Sequence, residues 1–171
     1  MTGELPLMHP IETKDAPLTL SPQLNVLEFQ IKSKLLGEYL TLSNNTEGAP
    51  IILEPLNDQL MSQRWYKESA NDPDFPNNHW LRCKFDDYYL DASGAENNAN
   101  IVGRKLEPDE WSLRWNLKKV QGNIYQIVNL WSGLCLSATQ SNGRYEEVVV
   151  RNCRSSSTQQ QWVFHKVTKE L

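Results

Sequence analysis

The side chains that could perform acid–base or nucleophilic chemistry are few in this chain. Its three histidines, His9, His79 and His165, stand alone, and no nucleophile motif flanks any of them. Such isolated histidines are more often structural than catalytic. The carboxylates of Asp86-Asp87 and of Glu107–Glu110 lie in turn-like contexts without the spaced partner that a glycosidase needs. The sequence therefore predicts a binding protein that is not an enzyme.

The cysteines give no support for a metal site. Cys83, Cys135 and Cys153 contain no Cys-x-x-Cys pair, and no calcium-loop pattern occurs elsewhere. We therefore expect neither a metal nor another cofactor. The residues alone allow two states of the cysteines. One is a disulfide with one free thiol, and the other is three reduced thiols. They do not decide the redox compartment. The first residues carry no signal-peptide pattern.

The charge balance bears on the class of partner. The formal net charge is −4 and the isoelectric point is about 5.4. Binding to nucleic acid usually needs a basic face that neutralises phosphates, and the basic residues of this chain are dispersed. No apolar run approaches the length of a membrane span. We therefore expect a partner other than nucleic acid, and no membrane span.

Two landmarks repeat along the chain at one period. The first landmark is a tryptophan, found as Trp65, Trp115 and Trp162. The second is a leucine after an aromatic residue or a cysteine, found as Leu40, Leu90 and Leu136. The tryptophans are 50 and 47 residues apart, and the leucines are 50 and 46 residues apart. Two independent landmarks with a shared period predict a threefold internal repeat.

Each repeat reads as four short strands. Leu27–Ile31 alternates apolar and polar residues, as a half-buried strand does. A strand with the leucine landmark, a turn cluster, a branched-aliphatic strand and the tryptophan strand follow. A single unit cannot bury its apolar face alone. We therefore predict an all-β protein in which three units close into a small barrel with three capping hairpins.

The chain divides into an arm and one domain. Four prolines interrupt the first two dozen residues, so residues 1–23 are predicted to be an N-terminal arm. Residues 24–171 form the predicted β domain. Its repeats span about 24–75, 76–118 and 119–167.

The third repeat carries a family resemblance. Its stretches Asn129–Leu136, Val148–Cys153 and Gln159–Trp162 resemble the repeat of the ricin B-type β-trefoil lectins, which has a Ser-Gly-x-Cys-Leu-Asp strand, an aliphatic strand near a second cysteine and Gln-x-Trp. The resemblance covers about residues 24–167. It implies a β-trefoil of three pseudo-symmetric four-strand repeats with the three landmark tryptophans in a structural role.

The resemblance also implies a cysteine pairing. Cys135 and Cys153 fall where the family has a disulfide within the repeat, and the alternative is two buried thiols. Localisation follows from that pairing, as secreted if the disulfide forms and cytoplasmic otherwise. Cys83 has no counterpart in the family pattern and is expected to be a buried free thiol.

The family's sugar-binding repeats have an Asp after the Cys-Leu step and an aromatic ring at the end of the aliphatic strand. No repeat of this chain holds the full set. The second repeat keeps the acid as Asp91, and we expect Asn98, Asn100 and Arg104 to lie near it as a carbohydrate site. The guanidinium of Arg104 could contact an acidic sugar. The alternative is a simple Asp91–Arg104 ion pair across two strands.

The third repeat is the second candidate, with Ser137 in place of the acid. Its predicted carbohydrate-binding residues are Asn142, Tyr145, Arg151, Asn152 and Gln160. Tyr145 would supply the ring of this polar pocket. The alternative here is a turn that carries a surface tyrosine.

The resemblance thus implies a carbohydrate-binding module with altered or reduced sugar sites, whose partners are glycans or glycoproteins. The alternative is a β-trefoil that binds a protein partner, such as a protease inhibitor or a receptor-binding toxin subunit. The loss of the complete sugar set in all three repeats is what this alternative predicts. Fold alone does not choose between the two uses.

Overall fold

Twelve short strands, four in each repeat, follow one another along the part of the chain that the structure describes. The computed structural model describes residues 27–141 and 145–167, so the predicted arm at 1–23 and Asn142 lie outside the described residues. The first repeat contains β1 (Glu28–Ser33), β2 (Tyr39–Leu42), β3 (Ile51–Glu54) and β4 (Trp65–Ser69). The second contains β5 (Asn78–Cys83), β6 (Tyr89–Ala92), β7 (Ile101–Arg104) and β8 (Trp115–Gln121). The third contains β9 (Ile124–Asn129), β10 (Cys135–Ser141), β11 (Tyr145–Arg151) and β12 (Trp162–Lys166).

Six of these strands form a closed ring. β1 pairs with β4, β4 with β5, β5 with β8, β8 with β9, β9 with β12, and β12 returns to β1. All of these pairs are antiparallel. The remaining strands form three hairpins, β2–β3, β6–β7 and β10–β11. Closure removes the free edges that these strands would otherwise expose, and the all-β, β-trefoil prediction is confirmed.

The landmark tryptophans fill the centre of the barrel. Each is almost completely buried, and each indole Nε1 donates a hydrogen bond to the carbonyl of the leucine landmark in its own repeat. These bonds join Trp65 to Leu40 at 3.1 Å, Trp115 to Leu90 at 2.9 Å and Trp162 to Leu136 at 2.9 Å. A buried indole N–H needs a partner, and the same partner recurs in all three repeats. The two sequence landmarks are therefore the two halves of one repeated contact.

Neighbouring repeats are joined through their hairpins. The loop after β2 reaches β7, where Gly48 N donates to Gly103 O at 2.8 Å and Gly103 N donates to Ala49 O at 2.8 Å. The loop after β6 reaches β11 in the same way, through Asn98 N to Val150 O at 2.7 Å. Each of these loops therefore packs against the third strand of the next repeat.

One repeat is also cross-linked covalently. Cys135 in β10 and Cys153 in the loop after β11 form a disulfide, with Cα atoms 5.1 Å apart. Cys83 is a buried free thiol, and its burial raises the pKa of the thiol to about 12. Within the described ranges, no helix is long and apolar enough to cross a membrane.

Candidate carbohydrate site

The loop before each landmark tryptophan makes a single 3₁₀ turn, and the residue two positions before the tryptophan ends it. These turns are Met61–Gln63, Trp111–Leu113 and Thr158–Gln160. Their last residues, Gln63, Leu113 and Gln160, are all buried. They face the first residue after each leucine landmark, which is Thr41, Asp91 or Ser137. The chemistry of this pair of positions differs between the repeats.

In the third repeat the pair is closed by hydrogen bonds. The Gln160 amide Nε2 donates to Ser137 Oγ at 3.1 Å and to Asn152 O at 2.7 Å, while its Oε1 accepts from Arg154 N at 2.7 Å. Both amide hydrogens are thereby used inside the chain. Gln160 is 3% exposed and offers no free donor to a sugar.

The first repeat repeats this arrangement. Gln63 Nε2 donates to Thr41 Oγ1 at 3.2 Å and to Pro55 O at 2.9 Å, and Gln63 Oε1 accepts from Asn57 N at 2.9 Å. Burial of a polar side chain is tolerated when its groups are paired, as they are here. The Gln63 amide is therefore bonded inside the chain, as the Gln160 amide is.

The second repeat lacks this amide. Leu113 can neither donate to Asp91 nor bond the backbone of the loop after β7. A cleft of about 250 Å³ lies here, with Asp91, Arg104, Ser112 and Trp131 in its walls. A carboxylate therefore lines this cleft at the position where the third repeat has the Ser137 hydroxyl.

Asp91 and Arg104 form an ion pair across the β6–β7 hairpin. Asp91 lies opposite Val102 and Tyr89 lies opposite Arg104, so the two charged residues are diagonal neighbours on one face. Arg104 Nε is 2.8 Å from Asp91 Oδ2. Asp91 is buried, whereas the Arg104 side chain is 49% exposed. The cross-strand pair is therefore present, and it lies inside the cleft.

Opposing effects act on the pKa of the Asp91 carboxyl. Burial raises its pKa above the ordinary value, while contacts with Ser112 and Arg104 oppose that rise and the charge of Glu110 adds to it. The second carboxylate oxygen, Oδ1, accepts no hydrogen bond of ordinary geometry. An ionised carboxylate has about four acceptor positions. Oδ1 is buried, and Oδ2 is the oxygen that meets Arg104 at the cleft.

Trp131 supplies the ring that the end of β7 lacks. It belongs to the third repeat, in the turn between β9 and β10, yet it lines the cleft of the second repeat and is 50% exposed. Asn129 Nδ2 donates to Ser112 O at 2.9 Å and Leu130 N donates to Arg114 O at 2.9 Å, so the turn is fixed to the second repeat. No pattern in the sequence assigned this residue a role.

Two predicted neighbours of Asp91 lie elsewhere. Asn98 and Asn100 do not line the cleft. Arg151 Nε donates to Asn98 Oδ1 at 2.7 Å, and Asn100 pairs with Val149 of β11. The expected grouping around Asp91 is corrected for both residues, because the loop after β6 reaches the third repeat.

The residues predicted for the third repeat are only partly brought together. Arg151, Asn152 and Gln160 line one pocket of about 270 Å³, and Asn98 joins them there. Tyr145 begins β11 in the described chain, and Asn142 lies outside the described residues. No group of histidine, cysteine and acidic side chains that could hold a metal ion occurs among the described residues.

The fold is a β-trefoil. A sequence profile of the ricin-type beta-trefoil lectin domain matches residues 28–162. The chain belongs to this family, and it is a carbohydrate-binding module by class. The family assignment favours this function over the protein-binding alternative.

Several solved structures share the fold. A designed threefold-symmetric protein, ThreeFoil, is 18% identical with a TM-score of 0.73, and the match covers 82% of this chain and 99% of that chain. The C-terminal domain of an earthworm lectin, solved as a mutant with 6'-sialyllactose, is 22% identical with a TM-score of 0.62 and the same two coverages. The Polyporus squamosus lectin is 20% identical with a TM-score of 0.66, over 80% of this chain and 48% of that chain. A search of curated protein sequences found no significant match.

Proposed function

We propose that the cleft of the second repeat binds a neutral sugar and that the protein acts by binding alone, without catalysis. One observation carries this proposal. Asp91 stands at the position that the acid has in the family's sugar-binding repeats, and it lines an open cleft that also holds the half-exposed ring of Trp131. A sugar presents hydroxyls along one edge and C–H groups on one face. A carboxylate beside an aromatic ring can bind both.

The charge of the cleft favours a neutral ligand over an acidic one. Four acidic side chains line it, Glu47, Asp91, Glu107 and Glu110, against the two basic side chains Arg104 and Lys105. Arg104 is already paired with Asp91. An acidic sugar would therefore enter a cleft with excess negative charge, whereas neutral hydroxyls would donate to the carboxylates.

Arg104 serves as a cover in this proposal. Its side chain lies across the Asp91 carboxylate and is half exposed, so rotation of its flexible stem would open the carboxylate to a hydroxyl. The ion pair holds Asp91 in its charged form until the sugar arrives. The ion-pair and sugar-site interpretations of these two residues are then two states of one site.

The test is titration of the protein with neutral mono- and disaccharides, followed by amide NMR. We expect resonances around Asp91 and Trp131 to shift, and Asp91→Ala to weaken binding by about tenfold or more. Trp131→Ala should weaken it several-fold, as expected for loss of a stacked ring.

Matched controls come from the other repeats. Ser137→Ala removes the equivalent side chain of the third repeat, and Leu35→Ala truncates the position equivalent to Trp131 in the first repeat. Both variants should bind as the parent does. The proposal fails if no neutral sugar binds, or if the controls lose binding as much as Asp91→Ala.

A further inference from the structure

The second pocket differs from the cleft in the sign of its charge. It lies between the loop after β6 and the loop after β11, and it contains Arg151, Arg154, Asn97, Asn98 and Ser157. No acidic side chain lines it. In a chain with a formal net charge of −4, two arginines without an acidic residue in one pocket are a local reversal of charge.

Arg151 and Arg154 differ from the other described arginines in having no carboxylate partner. Four other arginines bind carboxylates: Arg64 binds Glu28, Arg82 binds Glu68 and Asp87, Arg104 binds Asp91, and Arg114 binds Asp72. Neither Arg151 nor Arg154 has a carboxylate partner among the residues that the structure describes. Both arginines line the same pocket.

The pocket walls are held in place by hydrogen bonds. Arg151 Nε donates to Asn98 Oδ1 at 2.7 Å, and the Asn98 backbone N–H donates to Val150 O at 2.7 Å. Asn152 N donates to Asn97 Oδ1 at 3.0 Å. The side-chain oxygens of both asparagines are therefore occupied within the chain. Their amide hydrogens and the terminal nitrogens of Arg151 remain as donors.

We propose that this pocket binds the oxyanion of an acidic glycan, either a sulfate ester or a sugar carboxylate. Two guanidinium groups, two amides and the Ser157 hydroxyl supply donors and positive charge without a competing acid. A planar guanidinium binds such oxygens with paired hydrogen bonds. This pocket would be a second site, distinct from the cleft of the second repeat. Its proposed ligand is an anion, whereas the proposed ligand of the cleft is neutral.

Gln160 explains why this site takes an anion rather than a neutral sugar. In this repeat the amide of Gln160 already donates a hydrogen bond to Ser137 Oγ. The pocket has no carboxylate that could accept hydrogen bonds from sugar hydroxyls. The same amide bonds Asn152 O and Arg154 N, which fixes the loop that follows Arg151 at the end of β11 and carries Arg154. The Gln160 amide thus holds the loop of the basic pocket in place and also forms the hydrogen bond to Ser137.

The first experiment is an amide NMR titration with sodium sulfate against sodium chloride at equal ionic strength. We expect sulfate, and not chloride, to shift the resonances of Asn97, Asn98 and Arg154 with saturation. The double variant Arg151→Gln/Arg154→Gln should weaken sulfate binding at least about tenfold. The control is Lys118→Gln/Lys119→Gln, which removes the same charge from two exposed positions of β8 and should bind sulfate unchanged.

The second experiment identifies the source of the oxyanion. Lactose, a sulfated lactose and a sialylated lactose are compared, and at least one acidic sugar should bind more tightly than lactose, with the gain lost in the arginine double variant. Equal effects of sulfate and chloride, an unaffected arginine variant, or acidic sugars no better than lactose would each overturn the proposal. Should the double variant not fold, Arg154→Gln alone provides the test, since the Arg154 side chain makes no hydrogen bond or ion pair within the described ranges.

This inference is separable from the proposed neutral-sugar site. Asp91→Ala should leave sulfate binding unchanged, and the arginine variant should leave neutral-sugar binding unchanged. The two experiments therefore distinguish failure of the oxyanion site from failure of the neutral-sugar site.

Discussion

The second repeat differs from the first and third at one buried pair of positions. In the first and third repeats a glutamine amide bonds a hydroxyl and the following loop, through Gln63 and Gln160. In the second repeat the same two positions are Asp91 and Leu113, and a cleft lies beside them. The same backbone therefore holds either a glutamine amide bonded inside the chain or a buried carboxylate, paired with Arg104, in the wall of a cleft.

The covalent difference between the repeats gives the largest expected effect. Only the third repeat contains a disulfide, which spans 18 residues. The double variant Cys135→Ser/Cys153→Ser should lower the free energy of unfolding by about 3 kcal/mol, because the unfolded chain is no longer constrained. Urea denaturation measures the change. Cys83→Ala keeps the disulfide, so reductant should lower its stability by as much as it lowers that of the parent. An equal stability of the oxidised and reduced parent would contradict the prediction.

Gln160→Leu makes the third repeat resemble the second at this position. It leaves the Ser137 hydroxyl, the Asn152 carbonyl and the Arg154 amide without their partner, so we expect a loss of about 2 kcal/mol in the free energy of unfolding. Gln159→Leu, at the exposed neighbouring position, should change stability by less than about 0.5 kcal/mol. Similar unfolding midpoints in urea for the two variants would remove the distinction between the repeats.

Leu113→Gln performs the reverse exchange in the second repeat. The introduced amide would face Asp91 and the loop after β7, as Gln160 faces Ser137. We expect neutral-sugar affinity to fall about tenfold, equivalent to about 1.4 kcal/mol, measured by the same NMR titration. Leu113→Met keeps an apolar side chain there and should retain binding. Undiminished affinity in Leu113→Gln would show that the cleft does not depend on the missing amide.

Acidification gives a smaller and graded test. The ionised Asp91 carboxylate is the form that accepts sugar hydroxyls, and burial raises its pKa. Neutral-sugar affinity should therefore fall as the pH decreases through this pKa, and the fall should begin at a higher pH than for an ordinary aspartate. Arg104→Gln removes a charge that lowers this pKa, so the midpoint should move to higher pH. An unchanged midpoint would separate Arg104 from the titration of Asp91.

The sequence was sufficient for the fold because each landmark has a partner in its own repeat. Trp115 bonds the carbonyl of Leu90, and the spacing of these two residues recurs in every repeat. The Asp91–Arg104 pair was also within reach of sequence reasoning, since both residues belong to one hairpin. Contacts that remain inside one repeat are visible in its pattern.

The parts of the sites that cross between repeats were not predictable in this way. Trp131 lies in the turn of the third repeat but lines the cleft of the second, and Asn98 lies in the second repeat but bonds Arg151 of the third. Reading each repeat as a separate unit assigns both residues to the wrong surroundings. A tryptophan in a Ser-Gly turn was the available signal for Trp131, because turns seldom bury so large a ring.

The docking of each hairpin loop on the next repeat has an evolutionary consequence. A substitution in the loop after β6 alters the pocket of the third repeat, and a substitution in the turn before β10 alters the cleft of the second. A change in one repeat is therefore expected to alter the site of its neighbour as well. The specificities that we propose for the cleft and for the basic pocket could not be changed one at a time by substitutions in these shared loops.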